Sequence, residues 1–114
     1  MIRPVSYIQL YIDPNWNSTI ASPPFPEYAS CHSTQSAACA HILNHYFGSS
    51  YGFIDDSKSD LGYTSRIFDD FYAFAQEAAI SRYYGGVHYL FSCERGFDNG
   101  LVIGEHILNI DLDI

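Results

Sequence analysis

Two short segments of the 114-residue chain gather residue types that handle anions: Pro26-Glu27-Tyr28-Ala29-Ser30-Cys31-His32-Ser33 and Ser81-Arg82-Tyr83-Tyr84-Gly85-Gly86-Val87-His88. Each sets a histidine near groups that attract negative charge. Ser30 opens a stretch with helical spacing, and the leading amides of a helix lack intrahelical partners. The Ser30 hydroxyl and the amides around Cys31 and His32 can therefore be offered to an oxyanion. Arg82 brings a permanent charge on a planar fork suited to phosphate-like oxygens, and Gly85-Gly86 permits a turn that returns His88 to its side. Arg3 is available to close the same site. Chemistry on a tetrahedral oxyanion needs a nucleophile or ligand, a proton donor and cations that offset the growing charge. His88, His32 and the two arginines fill those roles.

Each of these residues also has an ordinary structural role. Ser30 can serve only as an N-cap, Arg82 as a cation at a helix C-terminus, and either histidine as a core or surface residue. His41 and His45 have the i, i+4 spacing that shares a metal on a helix face, but no third ligand is indicated nearby, so an exposed helix face is the expectation. The Asp55-Asp56 and Asp69-Asp70 pairs lack a calcium-loop pattern and read as loop or cap residues. Cys39 and Cys93 read as small buried or half-buried thiols, and Cys31 stands at the N-terminus of the expected helix.

The elements that must position these residues follow from periodicity and punctuation. Arg3-Pro4 followed by Val5, Ile8 and Ile12 predicts a short helix, with a strand over residues 6–12 as the competing reading. Pro14, Pro23, Pro24 and Pro26 make residues 13–29 a long ordered loop. Ala37, Ala40, Leu43 and Phe47 give helical spacing over residues 30–47, closed by Gly48. Residues 49–66 read as a surface loop with room for one short strand. Asp69 or Asp70 caps a second long helix whose apolar stripe, Phe71, Phe74, Ala75, Ala78 and Ala79, ends at Gly85-Gly86. Phe97, Leu101, Gly104 and Leu108 mark a last helix, with Asp98 near its start. The fold class expected is all-α, a bundle of about three to four helices with long loops.

Composition bounds the function. Five Lys+Arg against 13 Asp+Glu give a formal charge of −8, and Lys58 is the only lysine. A broad surface for nucleic acid or an anionic membrane is thereby excluded, since both require clustered cations. With 47% hydrophobic and 16% charged residues the chain can bury a core, and its length suits one domain, residues 1–114. No apolar run reaches the roughly 18 residues of a bilayer span and no leader-like segment opens the chain, so a soluble chain is expected. Three cysteines are too few for a disulfide framework and leave the redox compartment open.

Taken together, Arg3-Pro4, Ala29-Ser30-Cys31-His32 and Ser81-Arg82 with His88 resemble the phosphatidic acid phosphatase type 2 and vanadium-dependent haloperoxidase superfamily. That signature runs as a lysine with Arg-Pro seven residues later, then Pro-Ser-Gly-His, then Ser-Arg followed after five residues by His. The surrounding Pro23-Pro24-Phe25-Pro26-Glu27-Tyr28 and residues 78–88 are similar to the soluble bacterial haloperoxidase-like branch, in its C-terminal part. The resemblance implies that Arg3, Ser30, Arg82 and the Cys31 amide hold phosphate or vanadate, that His32 is the acid or base, and that His88 is the vanadium ligand of a peroxidase. In a phosphatase, His88 would instead be the phosphorus nucleophile and no cofactor would be needed. Implied partners are a small oxyanion with hydrogen peroxide and a halide, or a phosphomonoester. A third reading is a non-catalytic helical remnant or interaction partner. Four departures shape the expectations: no lysine precedes Arg3, Cys31 replaces the motif glycine, Ala29 replaces the motif proline, and Ser92 stands where many phosphatases carry an orienting aspartate. An N-terminal segment or another subunit is thus expected to complete the site, the chain alone is expected to have low activity or none, and Glu94 is the substitute orienter considered for His88.

Overall fold

The computed structural model describes residues 1–111. Four helices carry the architecture: α1 (Pro4–Tyr11), α2 (Cys31–Phe47), α3 (Phe71–Tyr84) and α4 (Leu90–Leu108). Two three-residue strands, β1 (Phe53–Asp55) and β2 (Arg66–Phe68), form an antiparallel hairpin with Phe53 opposite Phe68. The all-α expectation holds for the bundle, and the segment read as a surface loop adds this small sheet. Its rings explain why it forms: Phe53 lies 5.6 Å from Phe68 and 5.5 Å from Phe74, and Phe68 packs edge-on to Phe74 at 4.9 Å, fastening the hairpin to α3.

Proline at the first position starts α1, which settles the helix over the strand for residues 6–11. The proline-rich segment after it contains no helix or strand until α2 begins. Ser30 caps α2 by accepting a hydrogen bond from the Ser33 amide, and Gly48, at φ 92°, ends it. Asp70 caps α3 through the Ala73 amide at 2.7 Å. Gly85 and Gly86 stop α3, the latter at φ 77°, a conformation that side chains rarely adopt.

The last helix differs most from the sequence reading. It starts at Leu90, about two turns before Phe97, so Val87–Arg95 is mostly helical and not a connecting segment. Gly96, Gly100 and Gly104 lower helix propensity there, yet they are what the packing requires. A Cβ on Gly96 would collide with the Ser30 carbonyl; one on Gly100 would collide with the Thr34 carbonyl and come 2.7 Å from the Ala37 Cβ; one on Gly104 would come 2.8 Å from the His41 Cβ. Opposite this seam α2 presents Ser33, Ala37 and Ala38, all buried. α2 thus packs centrally, against α4 on one side and α3 on the other. Between the three long helices the buried side chains are small, Ala37, Ala40, Ala75, Ala79 and Cys93, which lets backbones approach closely, while Val5, Phe68 and Val87 are buried outside these helices.

Gly100→Ala should test this seam. Overpacking costs about 1–3 kcal/mol and the gain in helix propensity returns about 1 kcal/mol, so urea unfolding should show a net loss. Asn99→Ala, on the exposed side of the same turn, should be neutral or slightly stabilising by the same measurement.

Candidate active site

A pocket of about 320 Å³ opens where the N-terminus of α2 meets the C-terminal end of α3, lined by Pro23, Phe25, Cys31, His32, Gln35, Arg82 and His88. Four of the six residues singled out from the sequence therefore share one wall system. The other two stand behind it. Arg3 is buried: its Nη1 donates to the Val87 carbonyl at 2.7 Å and lies 3.3 Å from His88 Nε2, while Nη2 donates to the Phe25 carbonyl at 2.5 Å. Its guanidinium also lies 5.4 Å from the centroid of the Phe25 ring. Ser30 is fully buried, its Oγ accepting from Ser33 Oγ at 2.9 Å, and its amide donates to the Ser92 carbonyl at 3.1 Å. Its side chain serves the cap, while its backbone pins the start of α2 to α4.

The turn after α3 places Arg82 and His88 by local bonds. The Arg82 carbonyl accepts from the Val87 amide at 3.2 Å and the His88 amide at 3.3 Å, closing a loop from which both Arg82 and His88 line the pocket. Gly85 and Gly86 let Ile20 and Trp16 pack directly on that loop, because a Cβ at either position would overlap those side chains. Arg82 Nε is buried and finds no partner among the described residues. A donor in that condition is costly unless a ligand supplies the acceptor.

His88 is 1% exposed, and the groups around it come from every side. Its Nδ1 is 3.2 Å from Glu27 Oε1, an oxygen that also accepts the Tyr89 amide at 3.0 Å. Ser92 Oγ donates to the Glu27 carbonyl at 2.9 Å. Burial is the largest influence on the ring and pushes its pKa below the ordinary imidazole value; Arg3 pushes the same way, and Glu27 opposes. His32 sits exposed at the mouth, and its pKa is also lowered, by desolvation first and then by Arg82 and His88.

Glu27 is the residue that the sequence reading passed over. The signal was present: it is the single acidic residue between Asp13 and Asp55. Glu94, considered as the orienter, lies exposed on another groove with Gln76, Ile80 and Phe97, so Glu27 takes the contact with His88. His41 joins three helices, with Nδ1 2.8 Å from Tyr72 Oη and Nε2 3.0 Å from Glu105 Oε2. Among the described residues no group of three or more His, Cys, Asp or Glu gathers as a metal-ion site. No described helix is long and apolar enough to cross a membrane.

A family model described as the VCPO second helical-bundle domain matches residues 7–112. Among solved structures, the chain is similar to one titled as the first bacterial vanadium-dependent iodoperoxidase, at 41% identity and a TM-score of 0.88, over 96% of this chain and 26% of that one. It also shares its fold with a bacterial vanadium-dependent chloroperoxidase in holo and apo forms. The identities there are 23% and 24% and the TM-scores 0.67 and 0.64, over 82% and 79% of this chain and 22% of each of those. No curated protein sequence matches. The chain thus spans about a quarter of the length of these solved relatives.

The two depressed histidines give stability a pH dependence of definite sign. A histidine whose folded pKa lies below its unfolded value of about 6.5 stabilises the fold fully above that value and loses the contribution as pH falls toward the folded pKa. Thermal unfolding midpoints should therefore decline from pH 7.5 to pH 5, and His88→Gln should flatten the decline.

Proposed function

The chain belongs to the VCPO second helical-bundle domain family, and from that premise we propose that its pocket is the vanadate site of a haloperoxidase, with iodide the first halide to test. The observation that carries this reading is the meeting of Arg82, whose buried Nε has no partner, with His88, His32 and the N-terminus of α2 around one pocket. The donor set fits a tetrahedral oxyanion: the Arg82 guanidinium, the leading amides of a long helix and one imidazole in the pocket wall, with the Arg3 guanidinium behind them. His88 would hold vanadium through Nε2, with Arg82 and the Cys31 amide at the pocket wall facing the anion and Arg3 and Ser30 supporting the site from behind that wall. Bound vanadate supplies a Lewis acid that activates hydrogen peroxide toward a halide. His32, exposed at the mouth and neutral near pH 7 because its pKa is lowered, accepts a proton from the entering peroxide. Iodide is favoured by the 41% identity to a chain titled an iodoperoxidase.

The exposed apolar side chains along the bundle support a second element of the same reading. Phe74, Ile80, Leu90, Ile103 and Ile107 all face solvent, and the chain spans 26% of its iodoperoxidase relative. In a complete enzyme, further helical segments cover these faces, from the same chain or another subunit, and bring the lysine that the first motif requires. Charge balance at the anion then rests on three cations in place of two.

Vanadate titration followed by calorimetry tests the site. Phosphate should displace vanadate, and Arg82→Ala should weaken vanadate binding by roughly 10- to 150-fold, as loss of a charge-assisted contact of about 1.5–3 kcal/mol requires. Unchanged affinity in a folded Arg82→Ala protein overturns the assignment. Peroxide-dependent iodide oxidation should appear in a form carrying the lysine-bearing segment and vanish with His88→Ala. Release of phosphate from a phosphomonoester without vanadate would instead select the phosphatase chemistry.

A further inference from the structure

We propose that Glu27 is the positioning residue that fixes the tautomer of His88, holding the proton on Nδ1 and keeping Nε2, which faces Arg3, as the unprotonated nitrogen. The two neighbours of the ring have opposite hydrogen-bonding character. Arg3 carries only donors, so the 3.3 Å contact between its Nη1 and His88 Nε2 requires Nε2 to be the acceptor. A neutral imidazole that accepts at Nε2 must carry its proton at Nδ1, where Glu27 Oε1 stands 3.2 Å away. The same oxygen accepts the Tyr89 amide at 3.0 Å, so it is held as an acceptor from a second direction. That amide begins α4, whose N-cap residue Tyr89 makes no side-chain cap of its own.

Glu27 is itself held in place. Its backbone carbonyl accepts from Ser92 Oγ at 2.9 Å, the neighbouring Phe25 carbonyl accepts from Arg3 Nη2 at 2.5 Å, and the Ser30 amide is tied to the Ser92 carbonyl at 3.1 Å. The carboxyl group is fully buried, and its Oε2 has no partner among the described residues. A buried acid placed only for stability would satisfy both oxygens; here the oxygen that is used is the one between the imidazole and the start of α4. This role deepens the proposed oxyanion site, but the tautomer belongs to the ligand-free chain. Its failure is therefore distinguishable from a failure to bind vanadate.

The test is nitrogen-15 NMR of the imidazoles in the 114-residue chain without vanadate, at a pH above the ordinary imidazole range, with the His88 signals assigned by their loss in His88→Gln. The expected spectrum has a protonated Nδ1 and a bare Nε2 at His88. In Glu27→Ala the ratio of the Nδ1–H to the Nε2–H form should fall by about tenfold, as loss of one hydrogen bond implies, while the His41 signals stay unchanged. Glu27→Met, which keeps volume without an acceptor, should give the same fall and serves where the alanine variant does not fold. A protonated Nε2 in the unsubstituted chain overturns the proposal, as does a folded Glu27 variant that retains the Nδ1–H form.

Discussion

Close backbone approach between α2 and α4 is the constraint on which the molecule depends. Gly96 lies against the Ser30 carbonyl, so the contact that packs the two helices also fixes where α2 begins. Moving α4 outward by the width of a methyl group would carry Ser92 away from the Ser30 amide and the Glu27 carbonyl, two of the ties that hold the approach to the pocket. Fold stability and site geometry are therefore one packing problem, solved by removing side chains from one helix face and keeping them small on the other.

On this seam rests a chain of polar contacts that crosses most of the sequence. Arg3 reaches His88 from 85 positions away, and Glu27 from 61. Burial would ordinarily make such groups expensive, and each compensates for another: the cation donates to the ring, the ring to the acid, and the acid receives the Tyr89 amide at the N-cap of α4. Arg82 Nε and Glu27 Oε2 remain without partners among the described residues. A buried donor left unmet costs stability, a cost that a bound acceptor would relieve.

Local chemistry was legible in the sequence, while long-range chemistry was only partly so. The caps Ser30 and Asp70, the glycine stop after α3 and the proline start of α1 could be read because each acts within four residues. The start of α4 could not be read, because the amide of its N-cap residue Tyr89 is satisfied by Glu27, far away in sequence, and because its three glycines speak against a helix until the partner face is known. The hairpin was half visible for a similar reason, since its strands are three residues long and are held by rings from α3. His32, Arg82 and His88 were found through motif spacing. Glu27 was overlooked because an isolated acid has no spacing to recognise, and its isolation was itself the clue.

The loop that closes between Arg82 and His88 acts as a ruler. Because the Arg82 carbonyl holds both the Val87 and His88 amides, the backbone spacing between these two positions is set locally, by one turn. A single inserted or deleted residue between them would break those bonds and turn the histidine away from the cation, however well the rest of the bundle survived. Length variation is tolerated in most surface loops, but this one would admit substitutions and refuse insertions, and Gly86, at φ 77°, would refuse most substitutions as well.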